Sequence, residues 1–489
     1  MINRDIELHA LANFLAEPAP SRLLVHGDAG VGKSTLVRTA LRRTASVWLT
    51  GSGLPPELAG PAAAAALREQ LRGHPGVEEG LHALDTPPEG GARGSAPPGT
   101  RSRATPGPWR DAVRWLRLLL RLPDPPVLVL DGADPLLDDR RLRAALDALW
   151  GEARARGRPL RMIATLRGAG TPEAWGAEGE SAGPPAQRLA VTPLRLREAA
   201  RTVPRWSARE CVDLYALVGG LPAFWSWVDP GTSPARNLAR LLVAPEGIGR
   251  DLPGALLPAD VLGNRRSMAL VTALAGGART WGELRHGARV FRASAELGPY
   301  LTRLVSAGVV LAERSLDAAP GSRRRRYRLA HPLLACWHGA VVPHLGALQR
   351  GDDPLGLLRG TMAPALRALT ARALPPLVGE FLLHHGEEAL PARAREAGGA
   401  WGEGYDLPLA ATLESGAAVY GRVAWDGPPP GPDALDAVVG EIRRVRYGFD
   451  REARIPILVT ASPPGPELIR RAARAPAVVL GPEQLLGRG

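Results

Sequence analysis

Lysine is nearly absent from this sequence. Lys33 is the single lysine among 61 basic residues in a chain of 489. Cysteine is almost as scarce. Cys211 and Cys336 stand far apart and neither belongs to a C-x-x-C pair, which argues against a disulfide framework and a zinc cluster. No apolar run approaches the ~20 residues that a membrane span needs. The opening MINRDIELHA lacks the apolar core of a signal peptide, so the expected location is cytoplasmic with no membrane partner. Acidic charge is in deficit: the net charge is +12, which points to an acidic partner, nucleic acid first among them. Gly 57, Pro 48 and the arginine bias also fit a GC-rich coding sequence, however, so charge alone leaves DNA binding open.

The one lysine sits in His26 to Thr35, HGDAGVGKST. A compact ammonium and a forked guanidinium are not interchangeable, and a narrow loop around phosphates has room for the former. The stretch fits G-x-x-x-x-G-K-[ST], with Gly27, Asp28, Ala29, Gly30, Val31, Gly32, Lys33, Ser34 and Thr35 as the nucleotide-binding residues. An apolar strand, Arg22–His26, precedes it, and STLVRTALRR follows with helical spacing. In that context backbone N–H groups and the helix N-terminus surround a β-phosphate. Lys33 reaches the β/γ oxygens and Ser34 ligates Mg²⁺. The sequence therefore predicts ATP/ADP and Mg²⁺ as cofactors.

Strands expected at Arg22–His26, Ser46–Thr50, Pro126–Asp131, Arg161–Leu166 and Arg188–Thr192 alternate with helices at Lys33–Arg43, Pro61–Arg72, Trp109–Leu122 and Asp138–Ala155, plus a short one near Pro172. Such alternation argues for an α/β fold with a parallel sheet. Residues 85–108 have almost no apolar content and read as a disordered insertion. The expected domains are an ATPase core at 1–195, a helical lid at 196–260, a winged helix at 261–345, a connector at 346–376 and an α/β block at 377–489. Strands of that last block are expected near Ala417–Trp425, Ile455–Thr460 and Ala477–Leu480.

PPVLVLDGADPLL ends its apolar strand at Asp131, the expected Mg²⁺-shell carboxylate. Gly132 stands where fast ATPases carry a glutamate, which predicts slow turnover. Asp134 is the nearest carboxylate to orient water, or else a turn residue capping the next helix. Arg167, like Thr165 at the end of a strand, is the candidate cation facing the γ-phosphate, or a plain surface arginine. Residues 264–329 have the order of a winged helix: two helices, a third at about Ser294 to Ala307, then a wing of Val309–Arg314 and Arg326–Leu329. Arg323, Arg324, Arg325 and Arg326, near the wing tip, are the candidate nucleic-acid contacts, with protein docking as the competing use. No aromatics interleave with them, which disfavours a single-strand platform.

The hhhhDGxD stretch resembles signalling NTPases of the STAND class. NRDIEL (Asn3 to Leu8), LYALVGGLPAFW and RYRLAHPLLACWHGAVVP together resemble the ordered motifs of archaeal-type AAA+/STAND P-loop ATPases with a C-terminal DUF234 domain. The resemblance implies that Arg4 lies near the adenine, that Pro222 of the lid motif approaches the base, and that the last block is a PD-(D/E)XK nuclease-like domain. In that fold Asp406 matches the metal-binding aspartate. The usual E-x-K has become Arg422-Val423-Ala424, Leu382 stands at the upstream glutamate with Glu380 nearby, and Lys33 leaves no second lysine to serve. The domain therefore reads as degenerate and without nuclease activity. The favoured function is a slow ATP-dependent switch coupled to double-stranded DNA or a protein partner, with room for an oligomer. An ATP-gated nuclease and an ADP-holding scaffold that does not hydrolyse are the alternatives.

Overall fold

The computed structural model describes residues 4–52, 54–72, 107–122, 124–167, 186–319, 321–322, 324–445 and 453–488. The chain divides into two compact units, one ending at Thr192 and the other starting at Pro193.

In the first unit, β1 (Ser21–Gly27), β2 (Ser46–Thr50), β3 (Val127–Asp131), β4 (Arg161–Arg167) and β5 (Gln187–Ala190) form an all-parallel sheet in the order β2-β3-β4-β1-β5. β3 is buried throughout, as an apolar run covered on both faces should be. In register, Gly27 lies opposite Arg167 and Thr50 opposite Asp131, so β1, β2, β3 and β4 end along one edge of the sheet. Three helices follow the first strands or precede them: α1 (Asp5–Ala16), α2 (Lys33–Ala40) and α3 (Pro56–Leu71). The helices Arg110–Leu119 and Arg140–Ala155 bury Leu116, Leu119, Leu146 and Trp150 against Leu128, Leu130 and Met162.

Two expectations for this unit need correction. The helix expected from Pro61 begins at Pro56, and Pro61 lies in its second turn, where one lost backbone hydrogen bond is offset by burial of Ala64, Leu67 and Leu71. The helix expected from Asp138 is two pieces, Asp134–Asp138 and Arg140–Ala155, and Asp139 caps the second by accepting from the amides of Arg141 and Leu142. Most of the expected insertion, and the helix near Pro172, lie outside the described residues. Gly107–Trp109 forms a 3-10 turn.

The second unit opens with helices. Ser207 and Glu210 form a capping box on Ala208–Val218, and Pro222 starts the short helix Pro222–Ser226. Tyr215 Oη donates to Leu194 O at 2.7 Å, Leu194 N to Gly220 O at 2.7 Å, and Trp225 Nε1 to Gly219 O at 2.8 Å. Next come Arg265–Ala275, Trp281–Ala288 and Leu297–Ser306, followed by an antiparallel ribbon of β6 (Val310–Arg314) and β7 (Arg325–Leu329). Leu270, Leu284, Leu301 and Val310 give this group its own core. The third helix starts later than expected, after a 3-10 turn at Ser294–Glu296.

The expected connector is helical: Pro354–Arg359 and then Ala363–His385, 23 residues with Pro375 and Pro376 in its interior. Burial of Leu366, Leu374, Leu377, Phe381 and Leu382 carries the helix through both prolines, at the cost of two backbone hydrogen bonds. A mixed sheet follows, in the order β12-β11-β10-β9-β8. Its strands are β8 (Ala394–Gly402), β9 (Tyr405–Leu413), β10 (Ala418–Ala424), β11 (Arg454–Thr460) and β12 (Val478–Leu480). The β8–β9 and β9–β10 pairs are antiparallel, and β10–β11 and β11–β12 parallel. Among the described residues, no helix is long and apolar enough to cross a membrane. Cys211 and Cys336 are separate buried thiols, pushed up by burial to about 11 and about 12.

Candidate nucleotide-binding site

The edge where β1, β3 and β4 end gathers the polar residues of the first unit. Gly27 closes β1, and a Cβ there would lie 2.1 Å from the Val191 carbonyl oxygen, so only glycine fits. Gly32 stands at the N-terminus of α2 with φ +91°, a left-handed turn that aims the loop back over the helix start. Between them, Lys33 Nζ donates to Gly27 O at 2.7 Å and to Asp28 O at 2.6 Å. Burial lowers the ammonium to about 8. Asp28, Asp134 and Asp131 oppose the shift, and Arg167 adds to it. His26 is lowered as well, first by burial and then by the charges of Arg188 and Lys33.

Asp131 closes β3 and is 8% exposed. Its Oδ1 accepts from Ser34 Oγ at 2.6 Å and from Thr165 Oγ1 at 2.8 Å, and Thr165 Oγ1 itself accepts from Gly132 N at 2.7 Å. The sheet order explains this triad: β4 lies between β1 and β3, so Thr165 near its end and Ser34 at the start of α2 both reach Asp131. Bonds to an ionised acceptor of this kind are worth about 1.5–3 kcal/mol each. An oxygen-only donor set of one carboxylate and one hydroxyl suits Mg²⁺, which takes its other ligands from water and phosphates. With the glycine loop and one buried ammonium beside it, these residues fit a Mg²⁺–nucleotide complex.

The remaining site candidates fall in different places. Asp134 begins the helix Asp134–Asp138, and both its carboxylate oxygens accept from the Arg167 amide at 3.2 Å. Arg167 thus meets Asp134 through its backbone, while its exposed guanidinium is close enough to lower Lys33. Arg4 is 5% exposed and works as a buried clamp. It donates to Glu7 Oε1 at 2.6 Å, to Val31 O at 3.2 Å and to Thr192 O at 2.6 Å, which ties the middle of the glycine loop to the end of the unit. Nothing in the sequence signals that role, because two of its three acceptors are backbone carbonyls. Arg38 also escaped the sequence reading; it stacks 4.6 Å from the centroid of Trp48 and lies 3.9 Å from Asp131 Oδ2. Pro222 belongs to the second unit, where it starts a helix.

The second unit concentrates charge around Asp406, and here the wing arginines need correction. Arg323 lies outside the described residues. Arg324 and Arg325 are exposed, Arg325 in β7. Arg326 is not a free tip residue. It binds Asp406 through two hydrogen bonds, at 2.7 and 3.0 Å, and stacks 4.5 Å from the centroid of Trp401. The strand alternation of β7 turns it inward toward β8 and β9. Arg422 donates to Glu441 Oε1 at 2.6 Å and to Asp406 O at 2.9 Å. Burial pushes the Asp406 carboxyl up, yet the Arg326 hydrogen bonds and the charges of Arg326, Arg279 and Arg422 hold it below the ordinary range. Leu382 is buried on the helix Ala363–His385. Glu380, two residues earlier, is pushed up by burial, against Arg195 at 3.8 Å and with Glu198 adding to the shift. Among the described residues, no three His, Cys, Asp or Glu side chains cluster as a metal set. Glu441 and Trp401 were invisible in the sequence, since only the fold brings them to Asp406.

Comparison with known proteins agrees with the first unit's geometry. The AAA ATPase domain family matches residues 1–163, so this part of the chain is a nucleotide-binding domain of ATPase type. No curated protein matches. Among solved structures, the Walker-type ATPase of Pyrococcus abyssi is 18% identical at TM-score 0.46, covering 69% of this chain and 96% of that one. The ORC2 protein of Aeropyrum pernix, solved in ADPNP–ADP complexes, is 16% identical at TM-score 0.40, covering 72% and 96%. A STAND protein with a tetratricopeptide repeat sensor from Pyrococcus horikoshii is 14% identical at TM-score 0.28, covering 79% and 51%. With TM-scores below 0.5, none of them assigns a function to this chain.

Proposed function

We propose that the chain is a slowly hydrolysing ATP-dependent switch whose nucleotide state controls a nucleic-acid-binding winged helix in the second unit. The observation that carries the reading is the joint placement of Lys33, Ser34 and Asp131 at one sheet edge, with Ser34 Oγ 2.6 Å from the carboxylate. In this role the loop amides and Lys33 bind the phosphates, and Ser34 and Asp131 hold the Mg²⁺ shell, the ion lending charge neutralisation at the phosphates. Asp134 orients water, with its carboxylate fixed by the Arg167 amide. Slow turnover follows from Gly132, which supplies no carboxylate beside Asp131.

The three helices and ribbon of 265–329 support a winged helix. The motifs around Asn3 to Leu8, Gly219 to Pro222 and Arg326 to Pro343 support kinship with the DUF234 ATPases. The mixed sheet of β8–β12 supports a nuclease-like fold, and its Asp406, held by Arg326 and bordered by Arg422, supports the silent reading. Moving such a switch from mostly off to mostly on takes about 5 kcal/mol of differential nucleotide affinity. The test is hydrolysis by the purified chain, at minutes per turnover and dependent on Lys33. Tightly held ADP without hydrolysis would favour the scaffold reading, and Mg²⁺-dependent plasmid cutting the nuclease.

A further inference from the structure

A cavity of about 440 Å³ opens in the second unit between the ribbon, the helix Ala363–His385 and the sheet β8–β10. Its size is that of small-ligand pockets, and Tyr327, Trp401, Pro375 and Pro376 give it a flat apolar wall. Its charge is unbalanced. Arg328 pairs with Glu313 and Arg422 with Glu441, while Glu380 faces Arg195 at 3.8 Å. Two more arginines, Arg279 and Arg372, line the same cavity. Among the described residues, neither guanidinium forms an ion pair within 4.0 Å, and the carboxylates whose charge Arg279 feels, Glu283 and Asp406, are already held by backbone amides and by Arg326. Arg372 Nη2 donates to Ala275 O at 2.9 Å, a neutral acceptor that fixes the side chain and leaves its charge uncompensated. Arg372 is lowered by burial and then by the charge of Arg279, so the two cations repel across a partly dry space. Two half-buried arginines without a close ion-pair partner, both lining a cavity with an aromatic wall, are suited to an oxyanion.

We propose that this cavity binds a small organic anion, a flat apolar body carrying one carboxylate or phosphate group, with Arg279 and Arg372 holding the oxyanion. The site is independent of the glycine loop. It adjoins Trp401 and Arg422, the neighbours of Asp406, so its occupancy would stiffen the ribbon against the last sheet.

The experiment titrates the full chain with 8-anilinonaphthalene-1-sulfonate and with the uncharged N-phenyl-1-naphthylamine, following fluorescence. One saturable site is expected for the sulfonate, with the neutral compound at least about tenfold weaker. Arg279→Gln with Arg372→Gln should lower sulfonate affinity at least about tenfold and abolish the preference over the neutral compound, whereas Arg470→Gln, exposed elsewhere, changes neither. If the double variant melts early, Arg279→Gln alone must cost at least about threefold. Displacement by phenyl phosphate or by phenylacetate identifies the head group. Equal binding of charged and neutral probes, an unaffected arginine variant, unsaturable fluorescence or displacement by neither competitor would overturn the assignment.

Discussion

Asp131 and Asp406 are both strand carboxylates that the sequence offers as metal-site candidates, yet their surroundings differ in kind. Asp131 is met by two hydroxyls, Ser34 and Thr165, which share one oxygen and carry no charge. The nearest guanidinium is that of Arg38, exposed and 3.9 Å away. Asp406 is gripped by a forked guanidinium on both oxygens. Hydroxyls orient a carboxylate and leave its charge to a cation, whereas a bidentate arginine spends that charge. The comparison separates a site prepared for a ligand from one closed by its own chain. The protein's scarce residue makes the same division: a compact ammonium serves the first site and guanidiniums serve the second.

The largest effect expected on this comparison comes from removing the ammonium. Lys33→Ala should reduce ATP hydrolysis at least about 100-fold while leaving the melting temperature of the second unit unchanged. Measurable turnover in that variant would mean the loop is not the site of chemistry. A pH series sharpens the point. Burial holds Lys33 at about 8, below its unfolded value, and bound phosphates would raise it again. Mg·ATP affinity should therefore fall toward tenfold per pH unit above 8, with about half a proton taken up on binding at that pH. The stability of the free protein runs the other way. Between about 8 and 10.5 the unfolded lysine binds more protons, so the penalty this buried ammonium imposes on folding is relieved as pH rises. Calorimetry in buffers of different ionisation heat measures the uptake, and affinity flat from pH 7 to 9 would place the ammonium outside the phosphate contacts.

How far the sequence went follows the same division. The glycine loop, its flanking strand and helix, and the strand that ends at Asp131 are local, and each was legible from spacing and apolar runs. Local signals failed where long-range packing decides. β8 contains AREAGGAWG, poor in strand formers, and is a strand because β9 pairs with it. Pro375 and Pro376 read as a connector, yet burial of the flanking leucines outweighs two missing amides. Arg326 read as part of a basic run, and only the fold brings it to Asp406 and Trp401. Arg4 read as a residue near the adenine through resemblance, and its hydrogen bonds to Val31 O and Thr192 O come only from the fold.

The ribbon gives the next largest effect. If it meets duplex DNA, the exposed pair should carry the contact and the gripped arginine should not. Arg324→Ala with Arg325→Ala is expected to weaken duplex binding about tenfold near 0.15 M salt and to reduce the salt slope by about 2. Arg326→Ala should leave both unchanged, since its guanidinium already serves Asp406. Equal losses from the two variants would show the grip on Asp406 opening for DNA, and no loss from either would remove the ribbon from the interface.

The smallest effect tests the closed site itself. Asp406 is half exposed, so its ion pair is screened, and Asp406→Ala should cost only about 1 kcal/mol. Arg326→Ala should cost somewhat more, because it also uncovers the face of Trp401. The Asp406 carboxyl is held below its unfolded range, so its contribution is complete above that range and is lost as pH falls through the folded value. The melting difference between wild type and Asp406→Ala should therefore be present at pH 7, begin to shrink below about pH 4 and disappear only in stronger acid. A difference that persisted in acid would make Asp406 a packing residue rather than a charge partner. The closure of this site would then rest on Arg422 and Glu441 alone.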